Sequence, residues 1–229
     1  MDLRFVVRCA GVLLKSRKQT YYSQFGEDVA VMAFFKDRQN GFFVDVGAHH
    51  PRFWSNTYAL HRKGWRGVNI DLHQKNVSLF NIDRPSDVNV CAAISREERD
   101  LSLFEFGSVS VFNTLSKEDA DTVKRQKGLE YAVRTVRTRT LDSILAEHGF
   151  SDRVIDFLSV DVEGHDLEVL RSLDFDLHRP ELICVELHEP DIRKVIDNAL
   201  YRFLTEKGYQ LVAWPKPSLI FAREGVVKA

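Results

Sequence analysis

The chain has 229 residues, 44% of them hydrophobic and 16 of them Phe, which suits one large domain with a substantial core. Its 32 basic and 33 acidic residues nearly cancel, and that balance excludes a strongly basic nucleic-acid surface and long charged tails. No nucleic-acid partner is therefore expected.

Cys9, Cys91 and Cys184 show no Cys-x-x-Cys spacing, so neither a disulfide framework nor a thiolate zinc site is expected, and a reducing cytoplasm is the natural location. No apolar run reaches the ~18 residues of a spanning helix. Residues 1–20 read as a short amphipathic helix, with Leu3, Val6, Val7, Ala10 and Leu14 on one side and Arg4, Arg8, Lys15, Arg17 and Lys18 about it. Such a helix can pack on its own domain, on a neighbouring subunit of a homo-oligomer, or peripherally on an anionic membrane surface.

Residues 21–229 then alternate apolar runs with helical periods. Gly41 to Val46 reads as a buried strand, Ser55 to Lys63 as a helix stopped by Gly64, and Gly67 to Asp71 as a second strand. A helix from Gln74 to Ile82 and a third strand from Val88 to Ile94 follow. The stretch at about 95–139 lacks a clean strand-helix unit and reads as an insertion, with strand-like Leu101 to Phe106, a Ser/Asn/Thr segment and a charged segment to Lys127. Alternation resumes with Leu141 to His148 as helix, Val154 to Val162 as strand, Leu167 to Leu173 as helix and Leu182 to Leu187 as strand. Ile192, Val195, Ile196, Ala199, Leu200, Phe203 and Leu204 fall on one face of a single helix before Gly208. Tyr209 to Trp214 and Ser218 to Ala222 close the chain as an antiparallel pair. Buried strands joined by amphipathic helices require a doubly wound, mostly parallel α/β sheet, in which ligands gather outside the carboxyl ends of the strands.

The polar residues at those ends are Asp45, Asp71, Asp161 with Glu163, and Glu186 with His188. An acid ending the second strand suits a ribose diol, yet Gly47 lacks the two further glycines that let a helix cradle a pyrophosphate. A ligand with a ribose and no phosphate fits this pattern, S-adenosylmethionine among them, with Asp45 facing its cationic groups, whereas NAD does not.

Ser23-Gln-Phe-Gly-Glu-Asp28, Phe43-Val-Asp-Val-Gly-Ala-His-His-Pro51, Ser55-Asn-Thr-Tyr-Ala-Leu60, Lys63-Gly-Trp-Arg-Gly-Val-Asn-Ile-Asp71 and Val160-Asp-Val-Glu-Gly-His-Asp-Leu-Glu-Val-Leu170 together resemble the FkbM-family S-adenosylmethionine-dependent methyltransferases. The resemblance runs from about Tyr22 to Glu189. It implies a Rossmann-like class I methyltransferase fold whose last hairpin strand is antiparallel, and O-methylation of hydroxyls on sugars of polysaccharides, glycolipids or glycosylated metabolites. It implies that Asp45, Gly47 and Ala48 line the methionine part of the donor and Asp71 its ribose. Leu72 would pack on adenine, and Cys91, Ala92 and Ala93 would flank it. Gln24, Glu27 and Asp28 either close over the donor or, for the two acids, begin a helix.

Methyl transfer needs the acceptor oxygen aligned and often deprotonated. The candidate bases are His165, past the fourth strand, and His188. Asp161, Glu163, Glu186 and His188 at neighbouring strand ends would suit a divalent cation such as magnesium or manganese, and equally hydrogen bonds to a sugar acceptor. His49 and His50 could face donor or acceptor, and Trp54 and Tyr58 could offer faces to a sugar ring, whereas Trp65 reads as core. Asn113, Thr114 and Ser116 in the insertion are candidates for reading acceptor hydroxyls. Two other classes remain open at this point: a non-catalytic binding domain with the same fold, separated by loss of donor binding, and a metal-dependent hydrolase, separated by tight zinc.

Overall fold

The structure is a computed structural model that describes residues 20–107, 110 and 112–226. The expected lead helix, with Cys9, lies outside the described residues. Seven strands form the main sheet: β1 (Phe42–Val46), β2 (Arg66–Asp71), β3 (Val88–Cys91), β7 (Phe157–Val160), β8 (Leu182–Glu186), β9 (Tyr209–Ala213) and β10 (Ser218–Arg223). Their order is β3-β2-β1-β7-β8-β10-β9, with every pair from β3 to β8 parallel and β10 antiparallel to both its neighbours. The chain winds outward from β1 to β3 and returns to wind the other way from β7. The switch point therefore lies between β1 and β7, where open α/β sheets bind ligands. This doubly wound sheet with a reversed last hairpin is the fold expected from the sequence.

Alternation along β1 divides the core. Phe42, Val44 and Val46 join the apolar cluster under α5 (Leu141–Glu147), α6 (Asp166–Leu170) and α9 (Ala199–Glu206). Phe43 joins the cluster on the other face, formed with α1 (Glu27–Phe35), α2 (Tyr58–Arg62) and the fully buried Trp65. α3 (Gln74–Asp83) follows β2, and α7 (Phe175–His178) precedes β8.

Three expected elements differ. The third strand breaks at Ala92, whose amide donates to the Asp71 carbonyl, and the chain leaves the main sheet as β4 (Ala93–Ile94). β4 pairs with β6 (Ala132–Arg139), which pairs with β5 (Asp100–Glu105), so the insertion carries its own three-stranded sheet. Its charged segment is helix α4 (Lys117–Lys127), capped by Ser116, whose side chain accepts from the Asp119 amide. The single last helix is two, α8 (Ile192–Asp197) and α9, because Asn198 is extended and its side chain caps α9 through the Leu200 amide. Ile192 and Ile196, expected on the apolar face, are consequently exposed.

Candidate active site

A cavity of about 960 Å³ opens beyond the carboxyl ends of β1, β2, β7 and β8, and the insertion forms its far wall. That volume is at the upper end for ligand sites and leaves room for two reactants. Gly47 shapes its floor. Its φ is +81°, and a Cβ there would stand 1.7 Å from the Asp161 carbonyl oxygen, so only glycine lets the ends of β1 and β7 close together. The Gly47 and Ala48 amides both donate to the Ile70 carbonyl, at 2.9 and 3.1 Å. Ala48 is buried and, unlike Gly47, does not line the cavity.

Asp71 ends β2 at the cavity wall. Its Oδ1 accepts from the His73 amide at 2.7 Å and from Asn76 Nδ2 at 3.1 Å, and its Oδ2 accepts from the His49 amide at 2.9 Å. A carboxylate offers about four lone-pair sites, so about one, on Oδ2, remains for a ligand. The expectation of two bonds to a ribose diol is reduced to one by these local donors. Gln24, Leu72, Ala92 and Ala93 line the same cavity, whereas Cys91 turns its thiol to the Leu72 carbonyl.

Asp45 is placed differently from the expectation. Strand alternation puts it on the Phe43 face, 4% exposed, where its Oδ2 accepts from Thr57 Oγ1 at 2.7 Å. Thr57 in turn accepts from Arg84, fully buried, whose guanidinium also donates to Ser55 Oγ at 2.9 Å and to the Pro51 carbonyl. Burial pushes the Asp45 carboxyl up, against the Thr57 hydrogen bond and the Arg84 charge. Asp45 thus anchors the segment after β1 from behind the cavity and does not line it, unlike the expected contact with the donor. Glu27 and Asp28 begin α1. Asp28 accepts from the Tyr22 amide and Ser23 Oγ, and Glu27 from the Phe25 amide and Ser218 Oγ.

At the ends of β7 and β8 the acids do converge. Glu163 and Gly164 both take positive φ, +53° and +89°, and Asp166 holds that turn by accepting from the Val162 and Gly164 amides at 3.3 and 3.1 Å. His188 Nε2 lies 3.2 Å from Glu186 Oε2 and 3.8 Å from Glu163 Oε2. Glu163 and Glu186 hold a proton on His188 although its side chain is 64% exposed, raising its pKa to about 10. In the ligand-free chain it is an imidazolium at neutral pH, which does not fit the expected general base. Burial, then the charges of Glu186, Asp166 and Glu163, pushes Asp161 well up. Burial also raises Glu163, and together with Glu186 it pushes Asp166 up to about 8. His165 lines the cavity with Nε2 3.0 Å from Ser95 Oγ, and burial lowers its pKa, so it is neutral there. Of the two expected bases, it alone has the protonation state of one.

His49 lines the cavity and stacks on Trp54 at 5.8 Å, both with φ near +54° (53° and 55°). His50 instead accepts the Arg52 and Phe53 amides through Nδ1 in a local turn, and Tyr58 packs edge-on against Tyr22 away from the cavity. Asn113 and Thr114 line the cavity but are buried anchors of the insertion. Asn113 Nδ2 is 3.0 Å from His73 Nε2, and Thr114 Oγ1 donates to the Glu163 carbonyl at 2.6 Å. Ser116 is the α4 cap. The cavity face of α4, Asp119, Thr122, Val123, Gln126 and Lys127, was not anticipated from the sequence. Its one legible signal is Ser116 followed three residues on by an acid, the pattern of a helix start.

A comparison with curated proteins finds no match. Among solved structures, the chain is similar to a TehB-like SAM-dependent methyltransferase from Corynebacterium glutamicum ATCC 13032 Kitasato, at 9% identity and a TM-score of 0.46 over 96% of this chain and 97% of that one. It is also similar to the O-methyltransferase from Bacillus cereus in complex with SAH, at 13% identity and a TM-score of 0.40 over 97% and 90% of the two chains. The sequence profile of the methyltransferase FkbM domain matches residues 45–211, well over half of the chain. The chain therefore belongs to the FkbM methyltransferase family.

Proposed function

We propose that the chain methylates a hydroxyl oxygen, and that this hydroxyl belongs to a sugar. The observation that carries the reading is the cluster of Asp161, Glu163, Glu186 and His188 opening into the same cavity as Asp71. Clustered carboxylates accept hydrogen bonds from several neighbouring hydroxyls at once, which suits a polyol better than a lone amine. The His49–Trp54 stack at the same cavity offers an aromatic face to a ring.

When bound, S-adenosylmethionine supplies a methyl group on a positively charged sulfur, which leaves as a neutral thioether. Gly47 provides backbone room beside it, and the free lone pair of Asp71 takes a ribose hydroxyl. The cluster holds the acceptor, and Glu163 takes its O–H proton as the oxygen lone pair forms the new C–O bond. Burial raises the Glu163 carboxyl above the ordinary glutamate range, which makes it a stronger proton acceptor than an exposed glutamate. Among the described residues no helix is long and apolar enough to cross a membrane.

The test is methyl transfer from tritiated donor to a panel of mono- and oligosaccharides, followed by mild alkali. A sugar methyl ether keeps its label, whereas a carboxyl methyl ester loses it. Label found only as ester, or only on nitrogen, would sink the reading.

A further inference from the structure

We propose that Glu163, Glu186 and His188 form a divalent-cation site of the manganese or magnesium class, which deepens the methyl-transfer reading above and rests on it for its role. Among the described residues these three alone bring three such ligand atoms, two carboxylate oxygens and an imidazole nitrogen, within 4.8 Å of one another.

The spacing suits the ion. Around a cation with bonds of ~2.1 Å, adjacent octahedral ligands stand ~3 Å apart. His188 Nε2 and Glu186 Oε2 are at 3.2 Å, and His188 Nε2 and Glu163 Oε2 at 3.8 Å, so both pairs made by the exposed His188 lie within a small closure of that spacing.

A second observation points to a missing ligand. Glu186 is 8% exposed, and its Oε2 has the ion-pair contact with His188 at 3.2 Å but makes no hydrogen bond among the described residues. A buried carboxylate oxygen left without one is costly, and a coordinated cation removes that cost. Binding releases the proton that His188 carries in the ligand-free chain, since a protonated imidazole nitrogen has no lone pair to give a metal. The backbone contributes too, since Glu163 takes a left-handed φ of +53° and its Oε2 reaches to 3.8 Å from His188 Nε2, just past β8.

Donor chemistry chooses the ion class. Two carboxylates with one imidazole and no thiolate favour manganese or magnesium over a closed tetrahedral zinc site. Three protein ligands leave octahedral positions open on the cavity side, where an acceptor hydroxyl would enter and have its pKa lowered.

The decisive experiment titrates the chelator-stripped full chain with manganese chloride and follows the free-ion signal by electron paramagnetic resonance, alongside calorimetry with S-adenosylhomocysteine. The wild-type chain should take up one manganese, and Glu186→Gln and His188→Gln should each weaken it roughly tenfold or more. Both variants should keep the nucleoside affinity, which also reports that they fold. Manganese uptake unchanged in both variants would overturn this site. No stoichiometric uptake by a chain that binds the nucleoside would overturn the cation and leave methyl transfer standing. A wild-type chain that takes up manganese but not the nucleoside would overturn the methyl-transfer reading and the role of the ion within it.

Discussion

Gly47→Ala isolates what the switch point demands of the backbone. The added Cβ would meet the Asp161 carbonyl oxygen at 1.7 Å and its carbon at 2.7 Å, and both are main-chain atoms that cannot rotate away. Relief requires parting β1 from β7, yet Val46 pairs with Val160 and the Asp161 amide donates to the Val46 carbonyl at 2.9 Å. An L side chain at φ of +81° costs about 1–2 kcal/mol by itself, and forced overpacking about 1–3 kcal/mol more. The expected loss is about 2–5 kcal/mol, out of the roughly 5–15 kcal/mol that holds such a domain together. For a domain of this size it lowers the melting temperature by about 5–20 °C in thermal unfolding followed by circular dichroism. Gly149→Ala is the control, because Gly149 has φ of +79° but nothing within 4 Å of its added Cβ. It should show the backbone cost alone. Affinity for S-adenosylhomocysteine should fall in Gly47→Ala and hold in Gly149→Ala. Equal melting temperatures for the two variants would refute the clash.

Asp71→Ala should abolish most of the rise in melting temperature that saturating S-adenosylhomocysteine produces, since a native-state ligand stabilises by mass action, and an undiminished rise would rule Asp71 out as a donor contact. Arg84→Met should cost about 3–5 kcal/mol in urea unfolding, because it strips the buried Asp45, Thr57 and Ser55 network of its cation, and a loss below about 1 kcal/mol would contradict the network. Asp166 holds its proton up to about 8 in the folded chain, against about 4 when unfolded, so the folded state binds the extra proton. Its contribution to stability is present below about pH 4 and is lost as pH rises towards about 8; Asp166→Asn should flatten that decline, measured with chelator present, and an unaltered slope would show that Asp166 ionises normally.

The residues differ in how plainly their positions could be read. Gly67 to Asp71 and Leu182 to Glu186 are apolar runs that end in acids, and such runs make buried parallel strands whose ends meet ligands, so Asp71 and the Glu186–His188 pair were legible. Asp45 misleads because it is one residue short of the strand end, and period-two alternation alone decides that it faces Thr57 rather than the cavity. α4 was hidden because it buries only Ala120, which leaves no apolar stripe to mark a helical period. At Asn198 the opposite happens: the apolar positions continue at helical spacing, but a side-chain cap outweighs them and starts a new helix. The pairing of His165 with Ser95 spans 70 residues, and no local pattern encodes a contact between an insertion boundary and a strand end.

The insertion is more than a cover over the cavity, because its anchors lie on both halves of the site. Asn113 joins it to His73 beside the Asp71 wall, and Thr114 joins it to the Glu163 carbonyl on the acid cluster. Asp119 of α4 packs on Gly164, where a Cβ would stand 2.0 Å from Asp119 Oδ2, so the turn that aims Glu163 is seated on the insertion itself. Moving the insertion to admit a larger acceptor therefore moves Glu163 as well, unless Thr114 and Asp119 stay in place. Variation that changes the cavity wall without losing the carboxylate geometry is best tolerated further along the α4 face, at Thr122, Gln126 and Lys127, which line the cavity and make no hydrogen bond to the Glu163 turn among the described residues.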